Sequence, residues 1–116
     1  MIKSFSDREN VIATILGEAR GEKDKKGSSY EAMQAVANVI DNRSKRKQWK
    51  KLISFTDIVK QKKQFEVWKI SSDPKKNKDI EANRADILSI MRNKNTSEYK
   101  DAVKITDLLL AGNLKD

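Results

Sequence analysis

The chain contains no cysteine and no histidine in its 116 residues. Without cysteine there is no disulfide framework and no thiolate nucleophile. Without histidine, the usual zinc sites and a Ser-His-Asp triad are excluded as well. Any catalysis must therefore rest on carboxylates, amides, hydroxyls, Lys or Arg, and no cofactor is expected. Long apolar runs are also missing. None approaches the ~20 residues that span a bilayer, and residues 1–6 lack the hydrophobic core of a signal peptide. The expectation is a protein made in the cytoplasm that does not insert into membranes. Proline occurs once, at Pro74, in the segment Ser71-Ser72-Asp73-Pro74-Lys75-Lys76-Asn77-Lys78, which reads as the clearest loop.

Charge, by contrast, is abundant and unbalanced. Twenty-five Lys and Arg against seventeen Asp and Glu give a net charge of +8 and a pI of about 9.7, so the surface should attract polyanions. Nucleic acid, acidic polymers and anionic membranes share that chemistry, and a solvated Lys-rich surface explains the sign equally well. Hydrophobic residues make up 37% and charged ones 36%. Because the apolar positions recur at helical spacing, a folded all-α or mainly α domain fits better than disorder. The length suits one domain, 1–116, with a single core. There is no internal repeat.

Ser6-Asp7-Arg8-Glu9 reads as a capping box, opening a helix over about 7–19 with an apolar stripe of Val11, Ile12, Ile15, Leu16 and Ala19. A polar loop follows, closed by a second box, Ser28-Ser29-Tyr30-Glu31. The next helix, over about 29–43, carries Ala32, Met33, Val36, Val39 and Ile40 as its stripe, flanked by Ala35 and Ala37. Arg43 projects into that stripe and should meet a carboxylate or free carbonyls. A basic run around Trp49 leads to a short helix near 55–59 with Thr56 as its cap. A helix capped by Asn77 should run to about 92, with Ile80, Ile87, Leu88 and Met91 inside. Ser97 should cap a last helix in which Tyr99, Ala102, Val103, Leu109 and Leu110 face inward and Gly112 ends the run. The sum is about five helices.

Chemistry-bearing residues are few. At 100° per residue Glu18 falls beside Val11, on the margin of the buried face of the first helix. A carboxyl half-sunk in apolar surroundings is disfavoured in its charged form and is poised to donate a proton near neutral pH. A plain helix-end acid pairing with Arg20 or Arg43 would occupy the same place. Gln34, Asn38 and Asn42 lie along one flank of the second helix, as hydrogen-bonding groups for a polar substrate or as solvated amides. Phe65 and Trp68, three apart among amides and an acid, suit a sugar-lining surface and suit core anchoring as well.

Gly17-Glu18-Ala19-Arg20-Gly21-Glu22, followed by Gln34-Ala35-Val36-Ala37-Asn38-Val39-Ile40-Asp41-Asn42-Arg43 and then Gln64-Phe65, resembles the bacterial and phage cell-wall hydrolases that include spore-cortex-lytic enzymes. Three separated motifs occur in that family's order and at about its spacing, over roughly 10–114, and residues 102–114 look like its last helix. The resemblance implies a lysozyme-like, mostly helical fold acting on the glycan strands of peptidoglycan. It places the catalytic acid at Glu18 and implies a lytic transglycosylase, in which one Glu serves as acid and then as base. Glu22 is the candidate if a second carboxylate is used. Gln34, Asn38, Asn42, Gln64, Phe65 and Trp68 become candidate substrate contacts, with Phe65 packed beneath the cleft and Trp68 stacking on a sugar. Lysis, a holin or a virion would carry the protein to the wall.

Two departures from the family pattern stand out. Glu66 follows Gln-Phe where Ser or Thr is usual, and Lys62-Lys63 replace a glycine-rich segment. Family members also continue past the last helix into a segment that walls the cleft, whereas this chain stops at Asp116; the expectation is a reduced cleft or one completed by another chain. Three readings stay open. The first is an enzyme that cleaves glycan strands. The second is a peptidoglycan-binding or virion-structural protein of the same fold without turnover. The third is a helical nucleic-acid-binding domain, motivated by the basic stretches around Trp49 and over 60–63; under the first reading no nucleic acid is expected as a partner.

Overall fold

A computed structural model of the chain describes residues 6–19, 22–23, 25, 27–45, 59 and 73–114. Among these, four α-helices account for the regular structure: α1 (Asp7–Ala19), α2 (Tyr30–Lys45), α3 (Pro74–Arg92) and α4 (Ser97–Leu110). The fold is all-α, with four helices among the described residues rather than about five. The short helix expected near 55–59 falls outside those residues, except that Val59 is helical and fully buried.

α1 is the element the others enclose. Its start is a reciprocal capping box: Glu9 N–H donates to Ser6 Oγ at 3.2 Å and Ser6 N–H donates to Glu9 Oε1 at 3.0 Å, so two orphan amide donors are satisfied at once. That bond from the Ser6 N–H, helped by the Ser6 hydroxyl, holds the Glu9 carboxyl below its usual range. The expected stripe is buried, but so are Asn10, Ala13 and Thr14. From Asn10 to Leu16 no residue reaches solvent, because α2, α3 and α4 all pack against this one helix. A polar residue is tolerable there when its hydroxyl turns back on the helix, and Thr14 Oγ1 donates to the Asn10 carbonyl at 2.7 Å.

α2 starts where the Ser29 carbonyl accepts from Met33 N–H, while Ser28 Oγ accepts from Tyr30 N–H at 3.1 Å. Its inner face is Met33, Ala37 and Ile40, together with Asp41. Val39, expected in the stripe, is 41% exposed, and Ala37, expected as a flank, is fully buried. Lys45 pairs with Asp41 at 2.9 Å one turn apart, in the favourable acid-before-base order.

α3 begins three residues earlier than Asn77. Asp73 is its N-cap, accepting from Lys75 N–H at 3.0 Å, and Pro74 is its first residue. The lone proline thus opens a helix instead of marking a loop, since a first-turn residue needs no N–H partner and its φ is already helical. Asn77 lies inside the first turn and donates to Glu81 Oε1 at 3.3 Å. Ile80, Ile87 and Met91 are buried.

Thr96, one residue before Ser97, caps α4 through Tyr99 N–H at 3.2 Å. Here Ala102, Ile105, Thr106 and Leu109 are buried, while Leu110, expected inside, is 39% exposed. The helix closes in a Schellman motif: Asn113 N–H donates to the Leu108 carbonyl at 2.8 Å and Gly112 N–H to the Leu109 carbonyl at 3.1 Å, with Gly112 at φ +74. Arg8 of α1 grips Asp107 near the end of α4 with two hydrogen bonds of 2.8 and 3.3 Å, and Lys23 meets Glu98 in its first turn at 3.2 Å. Lys104 sits over the Tyr30 ring at 5.7 Å, tying α4 to α2.

Candidate active site at the end of the central helix

The last turn of α1 carries Gly17 and Glu18, both half-buried, and then Ala19, which is 1% exposed. This is the exit of the most deeply enclosed of the described helices. Gly17 and Glu18 are half-buried between the fully buried Leu16 and Ala19, so Glu18 stands at the margin of the packed face of α1. It is not isolated, having a polar or electrostatic neighbour of its own. The chain then turns, with Glu22 N–H donating to the Ala19 carbonyl at 2.9 Å, and the Glu22 side chain is exposed. Arg20 and Gly21 lie outside the described residues.

On α2, Gln34 and Asn38 are half-buried and Asn42 is exposed. The gradation follows from helix geometry: each step of four residues advances about 40° around the axis, so Asn42 has rotated about 80° from Gln34. Asn38 Oδ1 is shielded from solvent and has no hydrogen-bond partner among the described residues. A shielded carbonyl oxygen of this kind holds an unused acceptor capacity. Gln34 and Arg43 each have a polar partner. Gln64, Phe65 and Trp68 lie outside the described residues. Helices α1 and α2 pack together, so the turn bearing Glu18 and Glu22 and the amide flank of α2 belong to neighbouring elements.

A further group of side chains was not evident from spacing. Lys23, Gly27, Ser28 and Ser29 from the turn entering α2, with Ser97, Glu98 and Asp101 from the start of α4, line a polar cavity of about 160 Å³. Serines and acids at helix starts read in a sequence as caps, which masks any second use. No three carboxylates among the described residues stand close enough together to hold a metal ion. No helix among them is long and apolar enough to cross a membrane.

The family model of the cell wall hydrolases matches residues 27–116. Glu18 and Glu22 precede that span, which takes in the amide flank of α2, the Gln64-Phe65 pair and both later helices. No curated protein and no solved structure matches the chain. The matched span covers well over half of the sequence, and the chain belongs to the cell wall hydrolase family.

Proposed function

We propose that the protein cleaves the glycan strands of peptidoglycan, as a lytic transglycosylase or a muramidase, with Glu18 as general acid and then general base. Membership of the cell wall hydrolase family carries this reading, since it implies peptidoglycan as the substrate. The half-buried setting of Glu18 at the exit of α1 supports the choice of acid. In the first step the Glu18 carboxyl gives its proton to the glycosidic oxygen as the bond to the muramyl C1 breaks. The carboxylate then takes a proton from the muramyl 6-hydroxyl as that oxygen bonds to C1, which leaves a 1,6-anhydro end; water in the same role leaves a reducing end. Only one carboxylate is needed for the anhydro route. Glu22 is the candidate second carboxylate for the hydrolytic one, and Gln34, Asn38, Asn42, Gln64, Phe65 and Trp68 are the candidate substrate contacts.

Mass spectrometry of peptidoglycan digested by the purified protein tests the proposal. Anhydro or reducing glycan ends are expected, and Glu18→Gln should reduce their release by at least about 100-fold with an unchanged circular dichroism spectrum. An undiminished rate in that variant removes Glu18 from the chemistry. A second reading has its own motive, because the family match begins beyond Glu18: a wall-binding protein without turnover. Its signature is retention on insoluble peptidoglycan with no new glycan ends at any protein concentration.

A further inference from the structure

The cavity between the turn after α1 and the first turn of α4, about 160 Å³ in volume, has room for several waters. Its walls carry both signs of charge. Lys23 Nζ stands 3.2 Å from Glu98 Oε1, with the two side chains 44% and 30% exposed. A pair so open to water is weakly held and exchanges partners at little cost. Asp101, on the same side of α4 as Glu98, is half-buried and makes no ion pair among the described residues. Ser28, Ser29 and Ser97 line the same cavity.

This lining discriminates among ligands. No aliphatic or aromatic residue is among those that line it. A simple anion would meet two carboxylates, and a simple cation would meet Lys23. A molecule with a carboxylate and an ammonium on one carbon can satisfy all of them: its carboxylate takes Lys23 and the serine hydroxyls, and its ammonium takes Glu98 and Asp101. Lys23 directly follows Glu22 in the turn leaving α1, so one short segment joins this cavity to the candidate acid.

We propose that the cavity binds the zwitterionic end of an amino acid. Resting on the function proposed above, the ligand in place is the free zwitterionic end of a diamino dicarboxylic acid in a peptide stem borne by the glycan strand, and the cavity selects stem-bearing strands over bare ones.

Two measurements test this, and the first needs no turnover. The isotopically labelled chain is titrated with L-lysine and, separately, with butylamine and acetate, while the amide signals of Ser28, Ser29, Ser97 and Asp101 are followed. Saturable shifts at these amides are expected with L-lysine, about tenfold weaker binding in Asp101→Asn, and about tenfold weaker binding of either single-charge compound. Absence of shifts at these positions, or equal binding of the single-charge compounds, overturns the proposal. The second measurement compares KM on glycan strands with and without their peptide stems. The wild-type chain should have the lower KM on stem-bearing strands, and Asp101→Asn should close that gap; a gap left intact overturns the stem assignment. A chain that cuts neither substrate yet shows the lysine shifts refutes glycan cleavage and upholds the cavity.

Discussion

Single residues at the helix ends make the sharpest demands on side-chain identity. Gly112 sits at φ +74, and a Cβ built on it would meet nothing within 4 Å. The cost of a side chain there is therefore one of backbone conformation alone. Gly112→Ala should lower stability by about 1 kcal/mol, whereas Gly112→Asn should recover part of that, because Asn tolerates the left-handed region. Chemical denaturation of the two variants measures the difference, and equal losses would show that the Schellman turn is not what the glycine serves. Asp107 is a second case. The Arg8 guanidinium hydrogen-bonds its carboxyl and holds it below the usual aspartate range, while Arg8 is raised by the same bond. A depressed folded value means that the pair contributes stability above the unfolded value of about 3.9 and loses it as pH falls through the lower folded value. Both side chains are about half exposed, at 44% and 54%, so the contribution is about 0.5 kcal/mol. The stability gap between the wild-type chain and Asp107→Asn should thus be present at pH 6 and fade on acidification below about pH 4; a gap independent of pH would refute it.

At the scale of the element, α1 dominates the energetics. Burying Ile12, Ile15 and Leu16 completely is worth about 1.5–3 kcal/mol each. Ile12→Ala should therefore cost about 2–5 kcal/mol, while Val39→Ala on the exposed side of α2 should stay within about 0.5 kcal/mol. Similar losses in the two variants, read from thermal melts, would contradict the placement of both side chains. The contrast also shows which parts of the fold the chain announces. The limits of α1 were legible because Ser6 and Glu9 are a capping signature and the stripe from Val11 to Ala19 is periodic. The burial of Asn10, Ala13 and Thr14 was not, since three packed neighbours are a tertiary fact. Val39 was misplaced by residue type: it lies about 120° round the helix from Met33, whereas Ile40 lies within about 20°. Leu110 likewise lies about 80° from Ala102, outside the face shared by Ala102, Ile105 and Leu109. Asp73-Pro74 carried a helix-start signal that the polar run around it outweighed. In the candidate site, the angle of Glu18 was enough to foresee its half-burial. The cavity was hidden because Ser28, Ser97 and Glu98 resemble ordinary residues of helix starts.

Across the whole molecule, charge is divided unevenly along the sequence. Residues 46–72 carry eight of the 25 Lys and Arg, Lys60, Lys62 and Lys63 among them, against only Asp57 and Glu66, and so account for six of the eight net positive charges. Two properties should then respond differently to salt. Among the described residues stability rests on apolar burial and a few weak ion pairs, and it should change little as screening shortens from about 10 Å at 0.1 M to about 3 Å at 1 M. Retention on purified walls that carry anionic polymer should instead fall steeply over the same range, because it draws on an unbalanced charge. Replacing Lys60, Lys62 and Lys63 with Gln should weaken low-salt retention and flatten its salt dependence, leaving the melting temperature within a few degrees of the wild-type value. Co-sedimentation with walls, paired with calorimetry on the same samples, separates the two. If salt or the triple substitution shifts melting and retention in parallel, the basic run also contributes to holding the helices together, and the two properties do not separate.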